Sequence, residues 1–211
     1  MMSTSLAHLI ANLNTATFWL NVTIPILQIT FGTFGNLFNI IIFTRPSLRI
    51  NPCSLYFLVG SINNLFVLYV AVLTRFLINN WGIDPTATNN ALCKLRNIFV
   101  FPNLCIILWL IVLASIDRYF SSSQNVRLRQ LSSLPKARKA IILTIILIYL
   151  MHAHMLIFYK SDISGGVFAC TIFSREYNIF FQFFTFFFLY FSNYSNAHLW
   201  NFNNFQRSQY S

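Results

Sequence analysis

Residues 93–119 form an apolar stretch that is long enough to cross a lipid bilayer, and this stretch constrains the rest of the chain. Its sequence is CKLRNIFVFPNLCIILWLIVLASIDRY. Asp117 follows Cys93 by 24 residues, which corresponds to about 36 Å of helix and slightly exceeds the hydrocarbon thickness of about 30 Å. The stretch therefore predicts a membrane span with a thiol at one face and the triplet Asp117-Arg118-Tyr119 at the other.

The composition indicates that lipid surrounds most of the chain. Hydrophobic residues make up 56% of the 211 residues and charged residues 9%, whereas a soluble domain has about 25% charged residues. We therefore expect an all-α polytopic membrane protein folded as a helical bundle. The net charge of +10 reflects four acids against fourteen bases. Because the bases cluster beside the spans, where positive charge sets orientation, no nucleic-acid partner is expected.

Five apolar stretches are predicted to cross the membrane. They cover residues 18–44, 54–78, 93–120, 140–159 and 177–192. The fifth has an apolar core of about 22 Å, which is short for a crossing, so four to five spans are expected.

The distribution of bases predicts the orientation of these spans. Residues 45–49 and 118–139 hold eight bases, and an excess of Lys and Arg marks the cytoplasmic side. Residues 1–17 contain no Lys or Arg, so they lack the basic region of a signal peptide. Because the basic loops are cytoplasmic, residues 1–17 are predicted to form an extracellular N-terminus. Residues 193–211 are predicted to form a polar tail.

A cysteine that opens a membrane helix and an Asp-Arg-Tyr triplet that closes it, at this spacing, resemble the third helix of rhodopsin-like (class A) G-protein-coupled receptors. The resemblance covers about residues 20–190 and implies a partial seven-transmembrane receptor fold. The pair Gly35-Asn36 is similar to a Gly-Asn pair in the family's first helix. The resemblance also implies that Asp117 restrains Arg118 in the resting state. Arg118, beside Tyr119, would then meet a heterotrimeric G protein on activation.

The resemblance bears on the ligand as well. By the family's spacing from Cys93, the residues that line the pocket on this helix are Val100, Phe101 and Leu104, although all three are also ordinary packing residues. Amine receptors carry a carboxylate at the place of Val100, so an amine ligand is disfavoured. We expect an extracellular non-amine ligand, with a neuropeptide as one candidate.

Two amides are predicted to join helices inside the membrane. A buried amide is costly unless it finds a partner, so Asn36 and Asn64 should face the interior of the bundle. In the receptor family an aspartate of a sodium site occupies the position of Asn64, and a small hydroxyl residue that of Ile107. Sodium modulation is therefore not expected. Polar side chains in the middle of a span are often functional. The alternative is that Asn63 and Asn64 have no role beyond bonding neighbouring helices.

The four cysteines and a histidine pair complete the candidate sites. Cys53 is expected at the cytoplasmic face and Cys105 within the membrane, which leaves Cys93 and Cys170 outside, where a disulfide can form. His152 and His154 are two residues apart, a spacing that places them on different faces of a helix. No metal or cofactor is therefore expected.

Other function classes differ in what they require. An enzyme inside the membrane would need paired carboxylates, a zinc motif or a Ser/His arrangement, and the sequence shows none of these. A four-span structural, adhesion or channel-associated protein fits the span count and is the alternative. It does not, however, require Asp117-Arg118-Tyr119 at this depth.

The sequence shows no sixth or seventh span. We therefore expect a receptor chain of the plasma membrane that is incomplete at its C-terminus and does not signal alone. Association with a full-length receptor is one expected role. Residues 193–211 are interpreted as a disordered tail or as an artefact of the gene model.

Overall fold

The computed structural model describes residues 2–164, 167–172 and 174–208. The chain is mostly helical, at 86%. Within the described ranges, four helical stretches are long and apolar enough to cross a membrane. They are His8–Phe43, Pro52–Trp81, Asn90–Ser122 and Leu134–Phe158. The chain is therefore a multi-pass membrane protein with the architecture of a helical bundle.

The described elements follow one another in a simple order. The helices are α1 (Met2–Phe43), α2 (Pro46–Arg49), α3 (Pro52–Val67), α4 (Thr74–Trp81), α5 (Pro85–Thr88), α6 (Asn90–Ser122), α7 (Val126–Arg129), α8 (Leu134–His152), α9 (Met155–Phe158) and α10 (Arg175–Ser208). A π-helical segment, Leu68–Leu73, joins α3 to α4, and two strands, β1 (Tyr159–Ser164) and β2 (Val167–Ile172), lie between α9 and α10.

Helix α1 is longer than the sequence predicts. It begins at Met2, whereas the first span was predicted to start at residue 18, and it continues through Pro25. Residues 2–17 contain neither Gly nor Pro, so they include no strong helix breaker. The helix has 42 residues, or about 63 Å, which is about twice the hydrocarbon thickness.

The second span begins with a side-chain cap and ends at a glycine. Its first residue is Pro52, and the side chain of Asn51 accepts a hydrogen bond of 2.9 Å from the backbone N–H of Cys53. The span ends at Gly82, whose φ of 65° is left-handed. Glycine adopts this conformation at little cost, so it terminates the helix.

Helix α6 lies at the centre of the bundle. It starts after Asn89, whose side chain caps the first turn, and it contacts α3, α8 and α10. Its buried face carries Ile106, Leu110 and Ala114, which pack in one cluster with Tyr56 of α3. The central position of α6 means that each candidate site on it is bordered by at least one other span.

The region between the fourth and fifth predicted spans is a β-hairpin rather than an irregular loop. Strands β1 and β2 pair antiparallel, with Ser161 opposite Cys170. The intervening residues 165–166 are outside the described ranges. The preceding helical region ends at Phe158, directly before β1. The fold is thus a helical bundle with one hairpin, a small addition to the all-α architecture that the sequence predicts.

Helix α10 includes the predicted fifth span and continues beyond it. It runs to Ser208, so residues 193–208 are helical, although the sequence suggests a disordered tail there. The helix is not among the four stretches that satisfy the length and hydropathy requirements for a membrane span within the described chain. Its phenylalanines are interspersed with Tyr, Asn, Gln and Ser, which lowers its hydropathy.

Candidate functional site

The predicted switch residue Arg118 is tied to the second span. Its Nε donates a hydrogen bond of 3.1 Å to Sγ of Cys53, near the start of α3. Asp117 attracts Arg118 electrostatically. The described hydrogen bond of Arg118 thus goes to Cys53, whereas the resemblance implies a pairing with Asp117.

Asp117 itself faces a different set of groups. It is buried and lines a cavity of about 240 Å³ together with Tyr56 and Lys136. The side chain of Ser132, from the loop between α7 and α8, lies close to the carboxyl of Asp117. The triplet therefore links α6 to α3 through Arg118 and to the loop before α8 through Asp117.

Tyr119 completes the triplet at the end of α6. Its ring packs against that of Phe120, with the ring centroids 5.7 Å apart. The three residues of the triplet thus point to three different surroundings, although they are consecutive in the chain.

The three predicted pocket residues all line one cavity near the end of α6 that carries Cys93. Its volume is about 470 Å³, within the range of about 300–1,000 Å³ that small-molecule sites show. The lining residues come from α1, the second span and α6. They are Leu20, Asn21, Ile24, Pro25, Gln28, Val67, Ala71, Val72, Arg75, Asn79, Val100, Phe101 and Leu104.

Phe101 serves both the cavity and the packing of the bundle. Its ring meets that of Phe181 in α10 edge to face, with the centroids 5.1 Å apart, and it also contacts Tyr159. Leu104, by contrast, is exposed. Phe101 therefore both lines the cavity and packs against neighbouring elements.

The two predicted interhelical amides are bonded to each other. Nδ2 of Asn64 donates to Oδ1 of Asn36 at 3.2 Å, and Nδ2 of Asn36 donates to the carbonyl of Gly32 at 2.7 Å. Asn64 also lines a smaller cavity of about 140 Å³ with Ile107. The structure thus brings Asn64 and Ile107 together and joins α1 to α3 through a pair of neutral side chains.

A second polar network contains Asn63, for which the sequence predicts a bond to a neighbouring helix, together with Asn103 and Tyr149, which sequence reasoning missed. Nδ2 of Asn63 donates to the backbone carbonyl of Asn103 at 2.8 Å, and Nδ2 of Asn103 donates to the hydroxyl of Tyr149 at 2.9 Å. These two hydrogen bonds connect α3, α6 and α8. The signal that could have revealed it is the amide of Asn103 in the middle of an apolar span, where polar side chains usually have a partner.

The predicted disulfide between Cys93 and Cys170 is confirmed, with a Cα–Cα distance of 5.5 Å. The other two cysteines, Cys53 and Cys105, are free and buried. A hydrogen bond of 3.2 Å from the backbone N–H of Ser161 to Oδ1 of Asn90 also holds the hairpin against the start of α6.

Two titratable groups flank this hairpin. Burial raises the pKa of Tyr159, at the start of β1. The hydroxyl of Ser174 donates a hydrogen bond of 2.7 Å to Glu176 and lowers the pKa of that carboxyl. Glu176 therefore carries its negative charge at neutral pH, next to the start of α10.

The expectation that His152 and His154 lie on different faces is wrong. Their ring centroids are 6.3 Å apart, and both rings contact Phe184 of α10. The reason is that α8 ends at His152 and the chain turns before α9, so helical spacing no longer applies. His152 is satisfied by the carbonyl of Ile148 at 2.8 Å. No group of three metal-ligating side chains occurs among the described residues.

Comparison with known proteins gives no assignment: no protein-family model matches the chain, and no curated protein matches it.

Proposed function

We propose that the chain is a receptor of the rhodopsin-like G-protein-coupled class. It senses an extracellular non-amine ligand, such as a neuropeptide, and couples to a heterotrimeric G protein. The supporting observation is that one central helix, α6, lines a ligand-sized cavity at one end and carries Arg118 at the other. The proposed location is the plasma membrane, with the N-terminus outside.

The proposed mechanism uses α6 as the connection between the two ends. Leu104 and Arg118 are 14 residues apart, about 21 Å along a helix. A ligand can shift the population between two arrangements only if it binds one of them better. In this proposal the bound ligand favours an arrangement in which Arg118 leaves Cys53 and contacts the G protein.

The number of helices in residues 1–211 bears on whether these residues can signal by themselves. In the receptor family, activation moves helices five and six away from helix three, and residues 1–211 resemble only the first five helices. We propose that these residues do not signal by themselves. Signalling would need the remaining helices of the receptor fold, and a full-length receptor or a fragment with helices six and seven could supply them.

A four-span structural, adhesion or channel-associated protein is the second candidate. It is supported by the four apolar helices found in the described part of the chain. This candidate assigns no role to the contact between Arg118 and Cys53 beyond packing.

A G-protein reporter assay separates these candidates. Residues 1–211 are expressed alone, or with a fragment that supplies helices six and seven of a rhodopsin-like receptor, and are exposed to a panel of peptides. We expect a ligand-dependent response only from the pair. Arg118→Ala should abolish the response, whereas Arg49→Gln, at an exposed inner base, should preserve it.

Two outcomes would contradict the proposal. A robust response from residues 1–211 alone would contradict the mechanism. Absence of any response from pairs that reach the cell surface and associate would favour the structural alternative.

A further inference from the structure

We propose that the 470 Å³ cavity binds an amphiphilic ligand that carries one anionic group, and that Arg75 provides the opposite charge. The proposal deepens the receptor function above, because it names the chemical class of the ligand. It concerns binding alone and can be tested without a G protein.

The shape and lining of the cavity suit an apolar body with one polar end. Most of the lining side chains are apolar, including Ile24, Val72 and Leu104. The polar lining residues are Asn21, Gln28, Arg75 and Asn79. Cavities of this kind, mostly apolar with few polar groups, orient small ligands by those polar groups.

The charge of the cavity selects an anion. Among the described residues that line it, Arg75 is the only one with an ionisable side chain, and none is a carboxylate. Asp84 is not among the lining residues, and its Oδ1 accepts a hydrogen bond from the backbone N–H of Thr86 at 2.9 Å. Arg96, which also lies outside the lining, interacts electrostatically with both Asp84 and Arg75, so the charges of Arg96 and Asp84 offset each other and Arg75 determines the charge of the cavity. A cationic ligand would therefore be repelled.

An irregularity in the second span supports a functional role for this cavity. Ala71 and Val72 belong to the π-helical segment Leu68–Leu73. A π-segment is rare inside an α-helix and often occurs at a functional site. Arg75 follows this segment directly, and Asn79 lies one turn further on the same face. Arg75 and Asn79 can therefore hold the two oxygens of one carboxylate together.

The test compares probes that share a dodecyl-length chain and carry an anionic, a neutral or a cationic headgroup. The full chain is purified in phosphatidylcholine nanodiscs, and binding of dodecanoate, dodecanol and dodecyltrimethylammonium at pH 8 is measured against empty nanodiscs. We expect saturable binding of dodecanoate that is at least about tenfold tighter than that of the other two, since a hydrogen bond to a charged group is lost without the carboxylate. Equal binding of dodecanol, or no saturable binding of dodecanoate, would overturn the proposal.

The source of the anion is distinguished by competition. A short apolar peptide with a free C-terminal carboxylate and the same peptide with a C-terminal amide are added to bound dodecanoate. Displacement by the acid alone would assign the anionic group to a peptide terminus. Displacement by neither would assign it to a fatty-acid-like amphiphile. Displacement by the amide as strongly as by the acid would count against recognition of charge.

Variants then test Arg75 itself. Arg75→Gln should weaken dodecanoate binding about tenfold and leave dodecanol unchanged, whereas Arg75→Lys should retain most of the affinity. Arg49→Gln, a distant exposed base, is the matched control and should bind as the unmodified chain does. Ala71→Phe should weaken both probes, because it fills the cavity.

Formation of the Cys93–Cys170 disulfide and the unfolding midpoint report the folding of each variant. Unchanged dodecanoate binding by folded Arg75→Gln would refute the role of Arg75. If dodecanoate binds as expected but no receptor response is found, the binding site stands and the signalling proposal fails.

Discussion

At the scale of single residues, Asn103 joins three helices of the bundle through two hydrogen bonds. Its backbone carbonyl accepts from Asn63 of α3, and its side chain donates to Tyr149 of α8. Asn103 is buried beside Pro102. In a bilayer such bonds have no competition from water, but the unfolded helices also find partners, so each contributes about 0.6 kcal/mol on average.

We predict that Tyr149→Phe lowers the free energy of unfolding by about 0.6 kcal/mol, because it removes only the hydroxyl that Asn103 contacts. Unfolding of the purified chain in bicelles measures this. Tyr190→Phe, at an exposed tyrosine on α10, is the control and should have no effect. A double-mutant cycle with Asn103→Ala should return the same coupling energy, and a coupling of zero would show that the two side chains do not interact.

The roles that could be predicted are those of residues whose type and position along the sequence are informative by themselves. Cys93 opens the third predicted span and Cys170 lies in the loop before the fifth, so both fall on the same side of the membrane, and Asn36 is an amide in an apolar helix. Arg75 and the acceptor role of Cys53 could not be predicted, because each depends on how two helices are rotated against each other. Hydropathy does not define that rotation.

At the scale of elements, the close packing of α1 on the second span depends on Gly32. A Cβ built at this position would approach Cδ1 of Leu68, the first residue of the π-segment, at 3.0 Å. The neighbouring hydroxyls of Thr33 and Tyr69 are 2.9 Å apart and form a hydrogen bond. Small residues allow helices in membranes to approach in this way.

We predict that Gly32→Leu destabilises the chain by about 1–3 kcal/mol, because the added side chain overpacks the contact with Leu68. It should also weaken dodecanoate binding, since the π-segment lines the cavity. Gly35→Leu is the matched control: nothing lies within 4 Å of a Cβ there. Both variants are compared by unfolding in bicelles. Leu favours a helix more than Gly does at both positions, so propensity cannot cause a loss. Equal loss in the two variants would therefore mean that the contact with Leu68 does not account for the effect.

Among the elements, the apolar spans could be predicted from hydropathy, and the hairpin could have been. The segments YKSDIS and VFACTI are separated by Gly165-Gly166 alone, a pattern typical of a tight hairpin. The π-segment, by contrast, has no marker in LYVAVL. It forms where α1 and α6 pack against that helix, so tertiary contacts decide it.

At the scale of the whole molecule, the disulfide and the distribution of bases agree on one orientation. A disulfide forms in an oxidising compartment, so the end of α6 that carries Cys93 should face outside the cell. The opposite end carries Arg118, the first residue of the basic segment 118–139. The segment 45–49, which joins the first two spans, is basic as well and should lie on that same inner side.

We therefore predict that an N-terminal epitope tag is accessible to antibody on intact cells, while a tag inserted in the loop between α7 and α8 is accessible only after permeabilisation. The physical reason is that the eight bases of residues 45–49 and 118–139 oppose translocation of those loops. Substituting Cys170 by Ser should remove the cross-link without inverting the chain, because the bases remain. The unmodified chain should show the linked 93–170 peptide by mass spectrometry under non-reducing conditions. A hidden N-terminal tag together with an exposed α7–α8 tag would reverse the orientation, and it would place the Arg118 end of α6 outside the cell, where no G protein could reach it.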